Sequence, residues 1–187
     1  GIVAATRHPQ IDYNRINYST SPYALCPAQS INYVSSHDDL CLVDKLIVSL
    51  PENTSESDLL RYDKLAQTII FTSQGIPFVF NGEEVFRSKK LVHNSFESPD
   101  SINRINWMNK SVYYDLFDYY KKLIALRKNH AAFRMVAASD IQSNLHFAEH
   151  LPENVIAYRL DGKAAGDVWS EIFVAFNGSN SSREISI

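Results

Sequence analysis

Only two of the 187 residues are cysteine, Cys26 and Cys41, which excludes a disulfide framework, and neither lies in a Cys-x-x-Cys pair of the kind that holds zinc. No stretch reaches the roughly 18 apolar residues of a membrane-spanning helix. Residues 1–10 lack the charged start and apolar run of a signal peptide. Basic charge is also short: 18 Lys and Arg stand against 21 Asp and Glu, a net charge of -3, with no cluster able to neutralise a run of phosphates. Neither nucleic acid nor a membrane is expected as a partner. Asn-x-Ser/Thr sequons at Asn17, Asn53, Asn109, Asn177 and Asn180 arise by chance in so Asn- and Ser-rich a chain and carry no inference.

The chain does have apolar and aromatic residues. Hydrophobic content of 45% suffices for a sizeable core, in one domain or one and a fraction by length. Ten Tyr and ten Phe suit stacking on flat apolar faces such as sugar rings, although core packing is their ordinary use.

Residues 1–30 show no sustained periodicity and read as a long ordered loop. Ile31 to Ser36 reads as a short strand, and Leu40 to Leu50 as a short helix or turn. From Ser55-Glu56-Ser57-Asp58, a capping-box pattern, apolar residues recur at Leu59, Tyr62, Leu65, Ala66, Ile69 and Ile70, the spacing of one helical face. Gln74-Gly75 ends that helix, and Ile76 to Phe80 follows as an apolar run of strand type. A buried apolar strand after a helix predicts a parallel crossover. A polar loop through Trp107 leads to a second helix, with Tyr113, Leu116, Phe117, Tyr120, Leu123, Ile124 and Arg127 at helical spacing. Beyond Phe133 the segments 154–159 and 171–176 alternate, with turns predicted at Asp161-Gly162 and Asn177-Gly178, and 183–187 is a further candidate strand. An antiparallel β module is the expectation there.

Ser35-Ser36-His37-Asp38 places a histidine beside a carboxylate where a strand gives way to a loop, a position at which side chains meet ligands in parallel α/β folds. A helix cap is the plainer reading of that dipeptide. With Glu83 and Glu84 after the second strand, Asp38 would converge on one rim, and paired carboxylates of this kind serve glycoside hydrolysis.

Ile31-Asn32-Tyr33-Val34-Ser35-Ser36-His37-Asp38 resembles the fourth signature region of the α-amylase superfamily, glycoside hydrolase family 13. Its flanks resemble type I pullulanases: His8-Pro9-Gln10-Ile11-Asp12-Tyr13, Asn17-Tyr18-Ser19, Asp44-Lys45, Gln74-Gly75-Ile76-Pro77-Phe78, His93-Asn94-Ser95-Phe96, and Ser98-Pro99-Asp100-Ser101-Ile102-Asn103. The resemblance runs along nearly the whole chain. It implies an α/β fold, the C-terminal part of a TIM (β/α)8 barrel followed by the start of an antiparallel β-sandwich domain. Residues 1–132 would be the barrel portion, with strands and helices seven and eight, and 133–187 a partial β domain.

By the same resemblance Asp38 matches the family's third catalytic carboxylate, which stabilises the transition state, and His37 the adjacent substrate-binding histidine. Asp100 and Arg104 resemble a pair that binds the neighbouring glucose unit, for which a solvent-facing ion pair is the plain reading; Asn94 and Asn103 are further substrate-binding candidates. Glu83 and Glu84 fall in a stretch that is non-catalytic in the family, and Trp107 reads as packing between loop and helix. Asp39 stands where pullulanases commonly have Asn, and Cys41 and Val43 replace residues that are often Thr and Trp.

The activity implied is hydrolysis of α-1,6 branch points in pullulan, glycogen or starch, with retention, and no metal or other cofactor. A barrel of this type takes about 250 residues. The motifs of the nucleophile and general acid do not occur in these residues, so the chain alone is expected to be inactive, with the rest of the barrel as its partner. Exposed apolar edges would favour self-association. Three alternatives remain: an isoamylase- or branching-enzyme-like protein, a non-catalytic glucan-binding piece, and a metal-dependent phosphohydrolase using His37 and Asp38. The last needs further histidines, yet His8, His93, His130, His146 and His150 show no metal-ligand spacing.

Overall fold

A computed structural model describes residues 1–16 and 19–186. Asn17 and Tyr18 of the Asn17-Tyr18-Ser19 motif, and Ile187 of the predicted last strand, lie outside the described residues. The chain is mixed α/β with two small sheets. Two compact units interleave along the sequence. One comprises 1–32, 72–76 and 126–187, the other 33–71 and 77–125.

In the first unit, the loop 1–30 contains only short 3-10 turns at Tyr13–Arg15 and Pro27–Gln29. Strand β1, Ile31–Asn32, ends it. Helix α1, Leu42–Ser49, and helix α2, Glu56–Thr72, follow in the chain, and strand β2, Ile76–Pro77, pairs with β1. Both strands are two residues long, shorter than the sequence pattern predicts. Each has only the other as neighbour, and Ile76 and Phe78 are 45% and 42% exposed, so the run expected to be a buried strand is not one among the described residues.

Their close approach explains Gly75. Ile76 N–H donates to Ser30 C=O at 2.8 Å, and Gly75 sits at φ +93, where an added Cβ would lie 2.9 Å from that same oxygen. Only glycine fits. The Asn32 side-chain amide donates to Gln74 C=O at 2.6 Å beside it.

Helix α6, Ala138–Asn144, runs directly into strand β3, Leu145–Phe147. Strands β4, Val155–Asp161, and β5, Glu171–Asn177, complete an antiparallel sheet ordered β3-β4-β5. Leu160 lies opposite both Leu145 and Ile172, and these three side chains are buried together with Tyr158, Phe176 and Ile141. The turn predicted at Asp161-Gly162 is instead the start of a longer connection, 162–170. Asp167 within it accepts from His130 Nδ1 at 2.8 Å and from Ala132 N–H at 3.0 Å, and the Trp169 ring lies 3.7 Å from the His130 ring. Burial alone would push the Asp167 carboxyl up, but the Trp169 and Ala132 N–H groups and His130 together hold it below the ordinary carboxylate value. Residues 183–186 form no strand.

The second unit is built on helices. Ser55 caps α2: its Oγ accepts from Asp58 N–H at 3.2 Å and donates to the Asp58 carboxylate at 2.8 Å. Short helices α3, Asp100–Asn103, and α4, Asn109–Val112, precede α5, Tyr114–Asn129. The buried cluster joins Val43 of α1, Phe71 of α2, Phe86, and Leu116, Tyr120 and Leu123 of α5.

Gly75→Ala should lower unfolding free energy by about 2 kcal/mol, since a left-handed backbone costs an L-residue roughly 1–2 kcal/mol before any clash. Leu116→Ala, at a side chain 1% exposed, should cost about 2–5 kcal/mol. Urea unfolding curves at constant m-value test both.

Candidate active site

All the residues expected to act lie in the second unit. From 34 to 39 the chain leaves β1 and is held by polar groups. Lys45 Nζ donates to Val34 C=O at 2.8 Å, Ser35 Oγ donates to Glu83 Oε1, and Lys89 Nζ donates to His37 C=O at 2.8 Å. The side chains of His37 and Asp38 stay open, 81% and 76% exposed, with Nε2 and Oδ2 3.2 Å apart. The helix-cap reading fails, because the next helix begins at Leu42, with Cys41 at its N-cap. Asp39 follows at φ 57, a left-handed conformation that Asn and Asp tolerate better than most residues. Its carboxylate lies 3.7 Å from His93 Nδ1.

Glu83 does not share an open rim with Asp38. It opens a 3-10 turn, Glu83–Val85, after Gly82 at φ 100, and is 1% exposed. Besides Ser35, its carboxylate accepts from Gln67 Nε2 at 2.9 Å and Phe80 N–H at 3.3 Å. Burial pushes Glu83 up to about 7 despite these donors, which favour the charged form, and the Glu84 charge adds to the rise. Asp63 lies one turn before Gln67 on α2 and accepts from Tyr120 Oη at 2.7 Å. Burial raises Asp63 to about 7, and burial beside Asp63 drives the Tyr120 phenol upward. Asp63 Oδ2 and Gln67 Oε1 have no hydrogen-bond partner. A proton on Asp63 removes the larger cost of a buried, partly unsatisfied charge.

Asp100 and Arg104 occupy α3 and its C-cap, where Arg104 N–H donates to Asp100 C=O at 2.9 Å. Both are exposed, and among the described residues their side chains form no ion pair with each other. Arg104 lines a pocket of about 210 Å³ with Arg87, Ser101 and Asn109. Asn103 Nδ2 donates to Ser95 C=O at 2.6 Å and Ser98 C=O at 2.9 Å, so its amide staples the loop and leaves only Oδ1 to offer a ligand. Asn94 is exposed. Trp107, read from sequence as packing, is 57% exposed instead. Among the described residues no group of three His, Cys, Asp or Glu side chains is placed to hold a metal ion.

The pullulanase all-beta domain family matches residues 141–187. Pullulanase of Bacillus subtilis strain 168 is 42% identical over 158 residues, 84% of this chain and 22% of its own length. The chain is related to pullulanases. A crystal structure of the type I pullulanase from the same organism, complexed with maltose, superposes with a TM-score of 0.85 at 37% identity, covering 96% of this chain and 24% of that one. Pullulanase from Paenibacillus barengoltzii in complex with maltohexaose and α-cyclodextrin gives a TM-score of 0.84 at 36% identity, over 95% and 26% of the two chains. The chain thus spans about a quarter of the length of the pullulanases it matches.

The pullulanase-like motifs carried His37, Asp38, Asn94, Asp100 and Asn103, whereas Gln67 and Lys89 escaped sequence reasoning. A signal for Gln67 existed: Asp63 and Gln67 are polar residues four apart within the periodic segment of α2. Nothing local marked Lys89, whose bond to His37 joins residues 52 apart.

Glu83 and Asp63 both bind protons more tightly folded than unfolded. Stability therefore falls as pH rises from the ordinary carboxylate range through about 7. The unfolding temperature should drop between pH 5 and 8, about the span of those two values, and Glu83→Gln should flatten that slope. A slope unchanged by the substitution would contradict the assignment.

Proposed function

We propose that the chain is part of a retaining α-1,6-glucan debranching glycoside hydrolase of pullulanase type, acting on pullulan or on branch points of glycogen or starch. The observation that carries this reading is the 42% identity to a pullulanase along 84% of the chain. In this reading β1 and β2 are strands seven and eight of a TIM barrel, and α2 and α5 are its helices seven and eight. Residues 1–132 belong to the barrel and 133–187 begin the C-terminal β domain.

Asp38 acts as the transition-state stabiliser. Its open carboxylate accepts hydrogen bonds from sugar hydroxyls, and these strengthen as positive charge develops on the ring, so they favour the transition state over the bound substrate. His37, held beside it, contributes a second polar group to the same sugar. Asp100 and Arg104, with no ion pair to each other, are available to the neighbouring glucose unit, together with the exposed amide of Asn94 and the free Oδ1 of Asn103. The nucleophile and general acid, which retaining hydrolysis places about 5 Å apart, come from outside these 187 residues. The rest of the barrel is thus the partner, and it would cover Tyr33 and Phe78, whose exposed rings meet edge to face with centroids 6.0 Å apart. Without that cover the isolated chain self-associates.

In the whole protein, Asp38→Asn should lower kcat on pullulan by about 100-fold or more. This chain by itself should release no reducing sugar from pullulan. Full activity of the variant refutes the assignment of Asp38, and turnover of glycogen without turnover of pullulan moves the reading to an isoamylase-type enzyme.

A further inference from the structure

The open side chains of His37 and Asp38 rest on a main chain that buried charged groups hold in place. Asp38 has His37 as its one ion-pair partner among the described residues, and that partner is itself exposed. The direction of its carboxylate is therefore set by the main chain beneath it. Glu83, 1% exposed, accepts from Ser35 Oγ three residues before Asp38. Lys89, 3% exposed, donates from Nζ to the His37 carbonyl one residue before Asp38, at 2.8 Å.

Each of these two anchors is itself fixed. Glu83 also receives Gln67 Nε2 from α2 and the Phe80 N–H from the segment after β2. Lys89 passes over the Phe80 ring, 5.2 Å from its centroid, and its N–H donates to the Asp44 carboxylate at 2.7 Å. Asp44, fully buried in the first turn of α1, also accepts from Ser88 Oγ at 2.6 Å.

We propose that Glu83 and Lys89 are positioning residues for Asp38, acting on the reacting sugar only through the Ser35 side chain and the His37 carbonyl. The proposal rests on the assignment of Asp38 under the proposed function. Charged groups are suited to the task because a buried hydrogen bond to an ion is stronger than a neutral one, and breaking it strands the ion. The loop consequently cannot slide by a fraction of an ångström without leaving a buried charge unsatisfied. Misplacement on that scale can cost a reaction about 100-fold.

The test uses the whole protein, with Ser35→Ala, Glu83→Ala, Glu83→Gln, Lys89→Met and the Ser35→Ala/Glu83→Ala double variant. Pullulan kinetics are measured well below each variant's unfolding temperature. Positioning predicts that Ser35→Ala and Lys89→Met each lower kcat about tenfold or more with KM changed less than about threefold, because ground-state binding is left nearly intact. Glu83→Gln, which keeps an acceptor and the side-chain length, should recover most of the activity lost in Glu83→Ala. The double variant should lose no more than Glu83→Ala alone, since the two residues act through one bond. If Glu83→Ala fails to fold, Ser35→Ala carries the test, because it removes only the tie to the loop. Wild-type kcat in Ser35→Ala and Lys89→Met, even with lowered unfolding temperatures, overturns the proposal. Asp38→Asn is assayed in parallel: if it too is fully active, the assignment of Asp38 has failed, whereas an inactive Asp38→Asn beside active Ser35→Ala and Lys89→Met overturns the positioning role alone.

Discussion

The Glu83 carboxylate, buried with no cation paired to it among the described residues, is the constraint around which its unit is arranged. A charge in that position is costly unless it is neutralised or surrounded by donors. Three donors reach it from three separate stretches of chain: Ser35 before the catalytic candidate, Gln67 on α2, and the Phe80 N–H after β2. None of the three can move away without exposing an unmet group, which costs more than the bond itself contributes. The apolar cluster of Val43, Phe71, Phe86, Leu116, Tyr120 and Leu123 holds the helices together. It does not specify where Ser35 to Asp38 lies. That task falls to directional polar contacts.

The first unit solves a related problem in the same way. The last carbonyls of a helix have no intrahelical donors. At the end of α2, the guanidinium of Arg127 donates to Ser73 C=O and Gly75 C=O, both at 2.6 Å, and Tyr158 Oη donates to Thr72 C=O at 2.8 Å. Burial pushes Arg127 down to about 10, so it remains a cation at neutral pH and suits the negative end of a helix dipole. Gln74 then donates to Ala132 C=O at 2.8 Å and accepts from Met135 N–H at 3.0 Å. A buried polar ladder of this kind lets a helix stop abruptly at Gly75 and the chain turn at once into β2.

Periodicity in the sequence reveals α2 and α5 because each is long and has a continuous apolar face. Alternation reveals β4 and β5 because seven residues of each pair across the ladder. Helix α6 and strand β3 were not legible: the helix is seven residues long with Ile141 as its one buried residue, and the strand is three residues long. A single buried side chain has no period. The runs 31–36 and 76–80 carry the composition of strands, but a strand exists only where a neighbour accepts its hydrogen bonds, and here that holds for two residues in each. The candidate site divides similarly. His37 and Asp38 were legible through a contiguous motif. The bond from Ser35 to Glu83 spans 48 residues, and no local pattern could announce it.

A residue that stabilises developing charge must meet two opposing demands: its acceptor atoms must face the ligand, and they must not wander when the ligand is absent. Fixing Asp38 by hydrogen bonds to its own carboxylate would occupy the lone pairs the sugar needs. Fixing it by burial would desolvate it, as happens to Glu83 and Asp63, and raise its affinity for a proton. Holding the main chain at Val34, Ser35 and His37 avoids both, since Asp38 keeps only two side-chain torsions to settle and both oxygens remain in solvent. The strain of keeping charges out of water is thereby moved several residues away, onto groups that never meet the substrate. That separation explains how one short segment contains a serine tied into the interior and a carboxylate open to the ligand, three residues apart.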